Sequence, residues 1–135
     1  LTGEGAAVTL SGHSQGSVLA AASVVRITRD LLSQLSLLTH GSPLGRLYGR
    51  FFPAYFGPAF MAALRDRLEG RWLNLYRLTD AIGGPVGIAA VDVAATDPES
   101  DQRAVGDPLP AVRGHAFYAG SQAYERGLAK LRGSS

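Results

Sequence analysis

Residues 12–17 read GHSQGS, a hydroxyl between two glycines at the join of the apolar runs AAVTL and VLAAASVV. Ser14 in this setting suits nucleophilic attack on a carbonyl. A neutral Ser is a poor nucleophile and needs a base to take its proton. The candidate bases are His13, His40 and His115. His13 sits inside the turn and is expected to point away from the hydroxyl. His115 lies in a Pro/Gly-rich stretch after the last apolar run, where a side chain can reach over a sheet edge. A base of this kind needs a carboxylate to set its tautomer and stabilise the imidazolium. Asp80 follows the apolar run RWLNLYRL and fills that place. The chain order Ser14, Asp80, His115 is one described for triads built on such an elbow.

A lone G-x-S-x-G match is weak, since chance gives about 0.2 matches in a chain with this many Gly and Ser. The context raises its weight: the motif ends a strand pattern and opens a helix pattern. Ser14 must stand free at the tip of a bend made within about one residue, which strains its backbone. Gly12 and Gly16 are expected there as steric clearance. The helix that starts near Gln15 aims its free amides at the Ser, so the Gln15 backbone amide can hold a developing oxyanion. The bland alternative is a phosphate-binding turn, but such a loop wants more Gly and a Lys. His40, at the end of a strand pattern, competes with His115. Asp92 competes with Asp80, while Asp97 and Asp107 precede Pro and read as turn residues.

Several elements must position these groups. AAVTLS (6–11), LSLLTH (35–40), RWLNLYRL (71–78) and VGIAAVDVAA (86–95) read as strands. Helices are expected over 17–32, over 58–69, and from Ser121, a cap, to Gly133. Tyr124, Leu128 and Leu131 share a face of the last one. Trp72, Asn74 and Tyr76 point one way in their strand and Leu73 and Leu75 the other, with Trp72 and Tyr76 as core. Residues 96–114 read as a long surface loop. The alternation of strands and helices predicts an α/β fold of about four parallel strands with crossover helices. Phe51, Phe52, Tyr55, Phe56 and Phe60 fit either core packing of the following helix or an acyl pocket or flap. Arg46, Arg50, Arg65, Arg67 and Arg71 are expected on a solvated face.

Composition narrows the function classes. The 135 residues contain no Cys, which removes disulfide scaffolds and thiolate metal sites. The net charge is +2 and no Lys/Arg block occurs, so nucleic acid is not an expected partner. The apolar stretch over 51–64 is too short for a bilayer span and is broken by two Pro. No metal or cofactor is expected. The chain opens on LTGEG without Met.

VTLSGHSQGS, THGSP, WLNLYRLTDAIGGPV and GHAFY together resemble the C-terminal half of a lipase-like α/β-hydrolase. WLNLYRLTDAIGGPV is the most particular of them. It is similar to lipase-like domains of actinobacterial proteins, some of which carry membrane helices ahead of the domain. The resemblance implies Ser14 as nucleophile, Asp80 as acid and His115 as base. It implies a partial α/β-hydrolase fold, with residues 1–135 the C-terminal portion of one domain. About four further strands and the loop with the second oxyanion donor would precede it. Membrane association would come through that N-terminal region. The expected activity is hydrolysis of a small-molecule ester or lipid substrate with an apolar acyl part. Transfer of the acyl group to another acceptor uses the same residues. The alternative is a non-catalytic domain of the same fold that binds a lipid or a partner protein.

Overall fold

The computed structural model describes residues 8–95 and 114–133. Four strands form one parallel sheet in the order β1 (Val8–His13), β2 (Leu35–His40), β3 (Trp72–Tyr76), β4 (Asp92–Ala94). Val8 pairs with Leu35 and His13 with His40, so β1 and β2 end level. β3 joins at Leu37↔Trp72 and β4 at Asn74↔Asp92. Parallel strands all point their carboxyl ends to one edge, so Ser14, Gly41 and Arg77 leave the sheet on the same rim. The expected α/β class with about four parallel strands is thus observed.

Helices cover both faces. α1 (Gln15–Val24) and α3 (Pro58–Leu68) pack on one side, where Val18, Ala21, Val24, Leu64 and Leu68 meet Leu37 and Trp72. α4 (Gln122–Leu131) covers the other side, against Leu38, Leu73 and Leu75. The alternation expected in β3 therefore holds, with both of its faces buried. Trp72 is core, whereas Tyr76 is half-buried. The Ser121 hydroxyl accepts the Tyr124 amide at 3.2 Å and Gly133 follows the helix at φ 72, as cap and stop signals predict. Among the described residues no helix is long and apolar enough to cross a membrane.

Three expectations are corrected. The helix expected over 17–32 divides into α1 and a short α2 (Arg29–Leu32). Ten residues give about 15 Å of helix, close to the length of the strands it returns past. The β-branched residues Val24, Val25, Ile27 and Thr28 then favour the break. The strand expected over 86–95 shrinks to β4. The Asp92 carboxylate accepts the amides of Val86 (2.9 Å), Gly87 (2.9 Å) and Ile88 (3.0 Å), which bends that segment into a turn. The β3–β4 connection accordingly carries no crossover helix.

The Arg side chains do not form one solvated face. Arg46 donates to the carbonyls of Asp80 (2.7 Å) and Gly83 (3.2 Å). Arg67 donates to the carbonyl of Ile27, and Arg71 to those of Leu35 and Leu32. Arg46, for all its bonds, is exposed, as are Arg50 and Arg65, whereas Arg67 and Arg71 are half-buried. The aromatic cluster also divides. Phe56 and Phe60 pack against the core, whereas Phe51, Phe52 and Tyr55 are exposed on helical turns between Leu44 and Phe56.

Candidate active site

Ser14 joins β1 to α1 with φ 53 and ψ −126. A positive φ is costly for a residue with a Cβ. Surrounding hydrogen bonds impose it. The Ser14 amide extends the β1–β2 ladder to the His40 carbonyl at 3.1 Å. Its own carbonyl accepts the Ser17 amide at 3.0 Å and the Ser17 hydroxyl at 2.5 Å. Ser17, fully buried, also shares a 2.6 Å bond with the Ser42 hydroxyl, which locks α1 to the segment after β2. Gly12 provides the clearance: a Cβ there would lie 2.8 Å from the Gly16 carbonyl oxygen and the Ser17 Cα. Gly16 does not: beyond its own helix backbone, its Cβ would meet nothing within 4 Å among the described residues.

Ser14 holds the N-cap position of α1, yet its side chain makes no capping bond. The hydroxyl instead lies 2.8 Å from His115 Nε2. His115 Nδ1 lies 3.0 Å from both Asp80 oxygens. A carboxylate can only accept, so Nδ1 carries the proton and the Nε2 lone pair faces the Ser14 hydroxyl. The structure therefore brings together the three side chains singled out in the sequence. Gln15 opens α1, so its amide is a first-turn N–H without an intrahelical acceptor.

Asp80 is 1% exposed. Burial by itself would raise its pKa. Hydrogen bonds from the Gly83 amide, His115, the Ile82 amide and the Tyr118 hydroxyl outweigh that and hold the carboxyl below its ordinary value. The amides reach Oδ1 at 2.8 and 2.9 Å, and Tyr118 reaches Oδ2 at 2.9 Å. The loop must pass so closely that a Cβ on Gly83 would fall 2.5 Å from Asp80 Oδ2 and from the Gly41 backbone.

Two residues given no role in the sequence complete the arrangement. Arg77, 2% exposed, leaves β3 three residues before Asp80. Its guanidinium donates to the carbonyls of Gly114 (3.3 Å), Ala116 (2.5 Å) and Phe117 (3.0 Å), and it stacks 4.1 Å over the Tyr118 ring. Tyr118, three residues after His115, returns a bond to Asp80. A residue of the acid's strand grips the base's segment, and a residue of the base's segment grips the acid. Burial and the neighbouring Asp80 charge push the Tyr118 hydroxyl far up in pKa, so it remains a donor.

The other histidines take different places. His13 does avoid the Ser14 hydroxyl, but it is not idle. Its Nε2 donates to the His115 carbonyl at 2.7 Å, and its ring lies 4.8 Å from that of His115. His40 is 4% exposed and bonds to the Ser11 hydroxyl at 3.1 Å. Burial, then His13 and Arg77, lower its pKa from 6.5 to about 4. It is neutral near pH 7 and is engaged away from Ser14. Asp92 is engaged by loop amides and by the Asn74 side chain (2.9 Å). Asp97 and Asp107, and most of the loop expected over 96–114, lie outside the described residues.

Among the described residues no three His, Asp or Glu converge in a way that could hold a metal ion. A cleft of about 260 Å³ between Arg29, Leu32, Arg67 and Arg71 lies at the amino-terminal edge of the sheet. The triad occupies the carboxyl edge, where open parallel sheets present their ligand sites. Comparisons with protein-family models, curated proteins and solved structures return no match to this chain.

Proposed function

We propose that this chain is a serine hydrolase of carboxylic esters with an apolar acyl part, built on part of an α/β-hydrolase fold. One observation carries the proposal: His115 bridges Ser14 and Asp80 at 2.8 and 3.0 Å while Ser14 sits on a strained strand-to-helix bend. Capping, packing or phosphate binding would not call for that bridge.

In the proposed reaction the Ser14 oxygen attacks the ester carbonyl carbon as His115 Nε2 takes the hydroxyl proton. The carbonyl π-pair moves onto oxygen, and the Gln15 amide donates to that oxyanion. The tetrahedral adduct collapses. The alcohol leaves with the proton from His115, and the acyl group remains on Ser14. Water then attacks the acyl-enzyme, again with His115 as base. The carboxylic acid leaves, and the proton returns from His115 to Ser14. Asp80 holds the imidazole in the required tautomer and stabilises its cation without taking its proton. Its depressed pKa suits that role.

A fluorophosphonate probe tests this directly. The Ser14 oxygen should displace fluoride and leave a phosphonyl adduct on the tryptic peptide that contains residue 14. Ser14→Ala should abolish the adduct, and His115→Asn should slow its formation by orders of magnitude. Stoichiometric binding of an ester or lipid without any adduct would favour the non-catalytic alternative.

A further inference from the structure

We propose that His13 is a positioning residue: its side chain sets the distance between the Ser14 hydroxyl and the His115 ring. This deepens the ester-hydrolase proposal, on which it rests for the reaction in which that distance matters.

Two parts of the chain must meet before the Ser14 proton can transfer. Ser14 is fixed to the ends of β1 and β2, its own amide bonded to the His40 carbonyl. His115 belongs to a segment that Arg77 fastens to the end of β3 through the carbonyls of Gly114, Ala116 and Phe117. The His115 carbonyl lies between those acceptors and is taken from the other side, by His13 Nε2 at 2.7 Å. Among the described residues, that bond and the Ser14–His115 contact itself are the hydrogen bonds that join residues 8–24 to residues 114–118. The donor is the immediate neighbour of the nucleophile, and the acceptor is the main chain of the base.

The donor is held in place. His13 ends β1 directly opposite His40. Its ring stacks on the His40 ring, with centroids 5.2 Å apart and planes 22° from parallel. Gly41, at φ 56, leaves the necessary space: a Cβ there would lie 3.0 Å from His13 Cδ2 and Nε2. On its far side the ring meets the His115 ring at 4.8 Å. An imidazole confined in this way has its Nε2 aimed at one place.

His13 does not need the bond for its own sake. The residue is exposed, and water serves an exposed ring nitrogen at little cost. A side chain wanted only for stacking on His40 could be Phe. The consequence of the bond falls on His115, whose main chain it draws toward Ser14. Position counts there, since a displacement of about 1 Å between reacting groups can cost about 100-fold in rate.

The test compares three replacements in the full chain. His13→Ala removes ring and donor, His13→Phe keeps a ring without the donor, and His13→Gln returns an N–H donor of similar reach. Fluorophosphonate labelling of Ser14 should slow by about ten- to thirtyfold in His13→Ala and His13→Phe, and His13→Gln should recover to within about threefold of the parent. The thermal melt of His13→Phe should match that of the parent, and His13→Ala serves in its place should the larger ring not fit. A second readout needs no chemistry at Ser14. In the parent, Ser14→Ala should move the ¹⁵N resonance of His115 Nε2, because the hydroxyl bonded to that nitrogen is gone. With His13→Phe already present, the same change should leave the resonance nearly where it was. Labelling of His13→Phe at the parent rate, a His13→Gln variant no faster than His13→Phe, or an equal ¹⁵N response in both backgrounds would overturn the proposal. A parent that never labels, with a ¹⁵N response that still depends on His13, would instead remove the ester-hydrolase reading and keep the positioning role.

Discussion

Replacing Tyr118 by Phe removes one oxygen and keeps the ring that packs under Arg77. The lost bond is the 2.9 Å contact to Asp80 Oδ2. Asp80 is 1% exposed, so bulk water does not take the vacated place. A hydrogen bond to a buried charged group contributes about 1.5–3 kcal/mol. For a chain of this size that is about 5–10 °C in Tm. The pH dependence of the loss identifies its cause. The Asp80 pKa is depressed in the fold. Its stabilisation is therefore fully present above the carboxylate's unfolded value and is lost as pH falls through the folded value. The gap between parent and Tyr118→Phe should be full at pH 6–8 and close as pH falls below about 4. The carboxyl itself should titrate higher in the variant, because one of the hydrogen bonds that lower its pKa is gone. Urea unfolding followed by circular dichroism measures the gap, and ¹³C NMR of the Asp80 carboxyl measures the titration. Fluorophosphonate labelling at neutral pH should slow, because the acid is held less firmly. A variant as stable as the parent at pH 7, with an unmoved Asp80 titration, would refute the idea that Tyr118 braces the acid.

Three other outcomes follow from the same geometry. Ser14→Gly should melt at a higher temperature than Ser14→Ala, by about 1 kcal/mol of stability, because Gly accepts φ 53 and Ala does not; both should fail to label. Gly12→Ala should cost about 1–3 kcal/mol and slow labelling, since backbone atoms at 2.8 Å cannot step aside cheaply, whereas Gly16→Ala should be neutral or slightly stabilising, as paired thermal melts would show. His40 is held neutral, with its pKa lowered from 6.5 to about 4, so the unfolded chain takes up its proton first as pH falls. That linkage should remove about 2 kcal/mol of stability between pH 7 and pH 5, and His40→Gln should flatten this slope in denaturant titrations at the two pH values.

Ser14 and Asp80 were legible in the sequence because each sits where a strand pattern ends, and in a parallel sheet those ends share an edge. His115 was legible as a His in the Pro/Gly-rich stretch after the last strand pattern, from which a side chain can reach over that edge. Arg77 was not legible, since its partners are main-chain carbonyls of residues 114–117, which carry no side-chain signature. Tyr118 lay in a quoted motif, but only the return of its segment over β3 brings its hydroxyl to Asp80. VGIAAVDVAA has strand composition, yet the Asp92 carboxylate draws in the amides that a ladder would have used. A positive φ at Gly87 is the local sign of that turn. Gly16 was misjudged because the motif pairs it with Gly12, while the space around the two differs.

The clamp between Arg77 and the carbonyls after residue 113 has a mechanical consequence. Acid and base are fastened to the same strand end, so any breathing of β3 carries them as one body and preserves the spacing between imidazole and carboxylate. Ser14 rides on β1 and α1, and the 2.7 Å bond from His13 to the His115 carbonyl straps that strand end to the same body. In the proposed reaction that single strap would set the separation of hydroxyl and imidazole, while the clamp on β3 would keep the tautomer fixed.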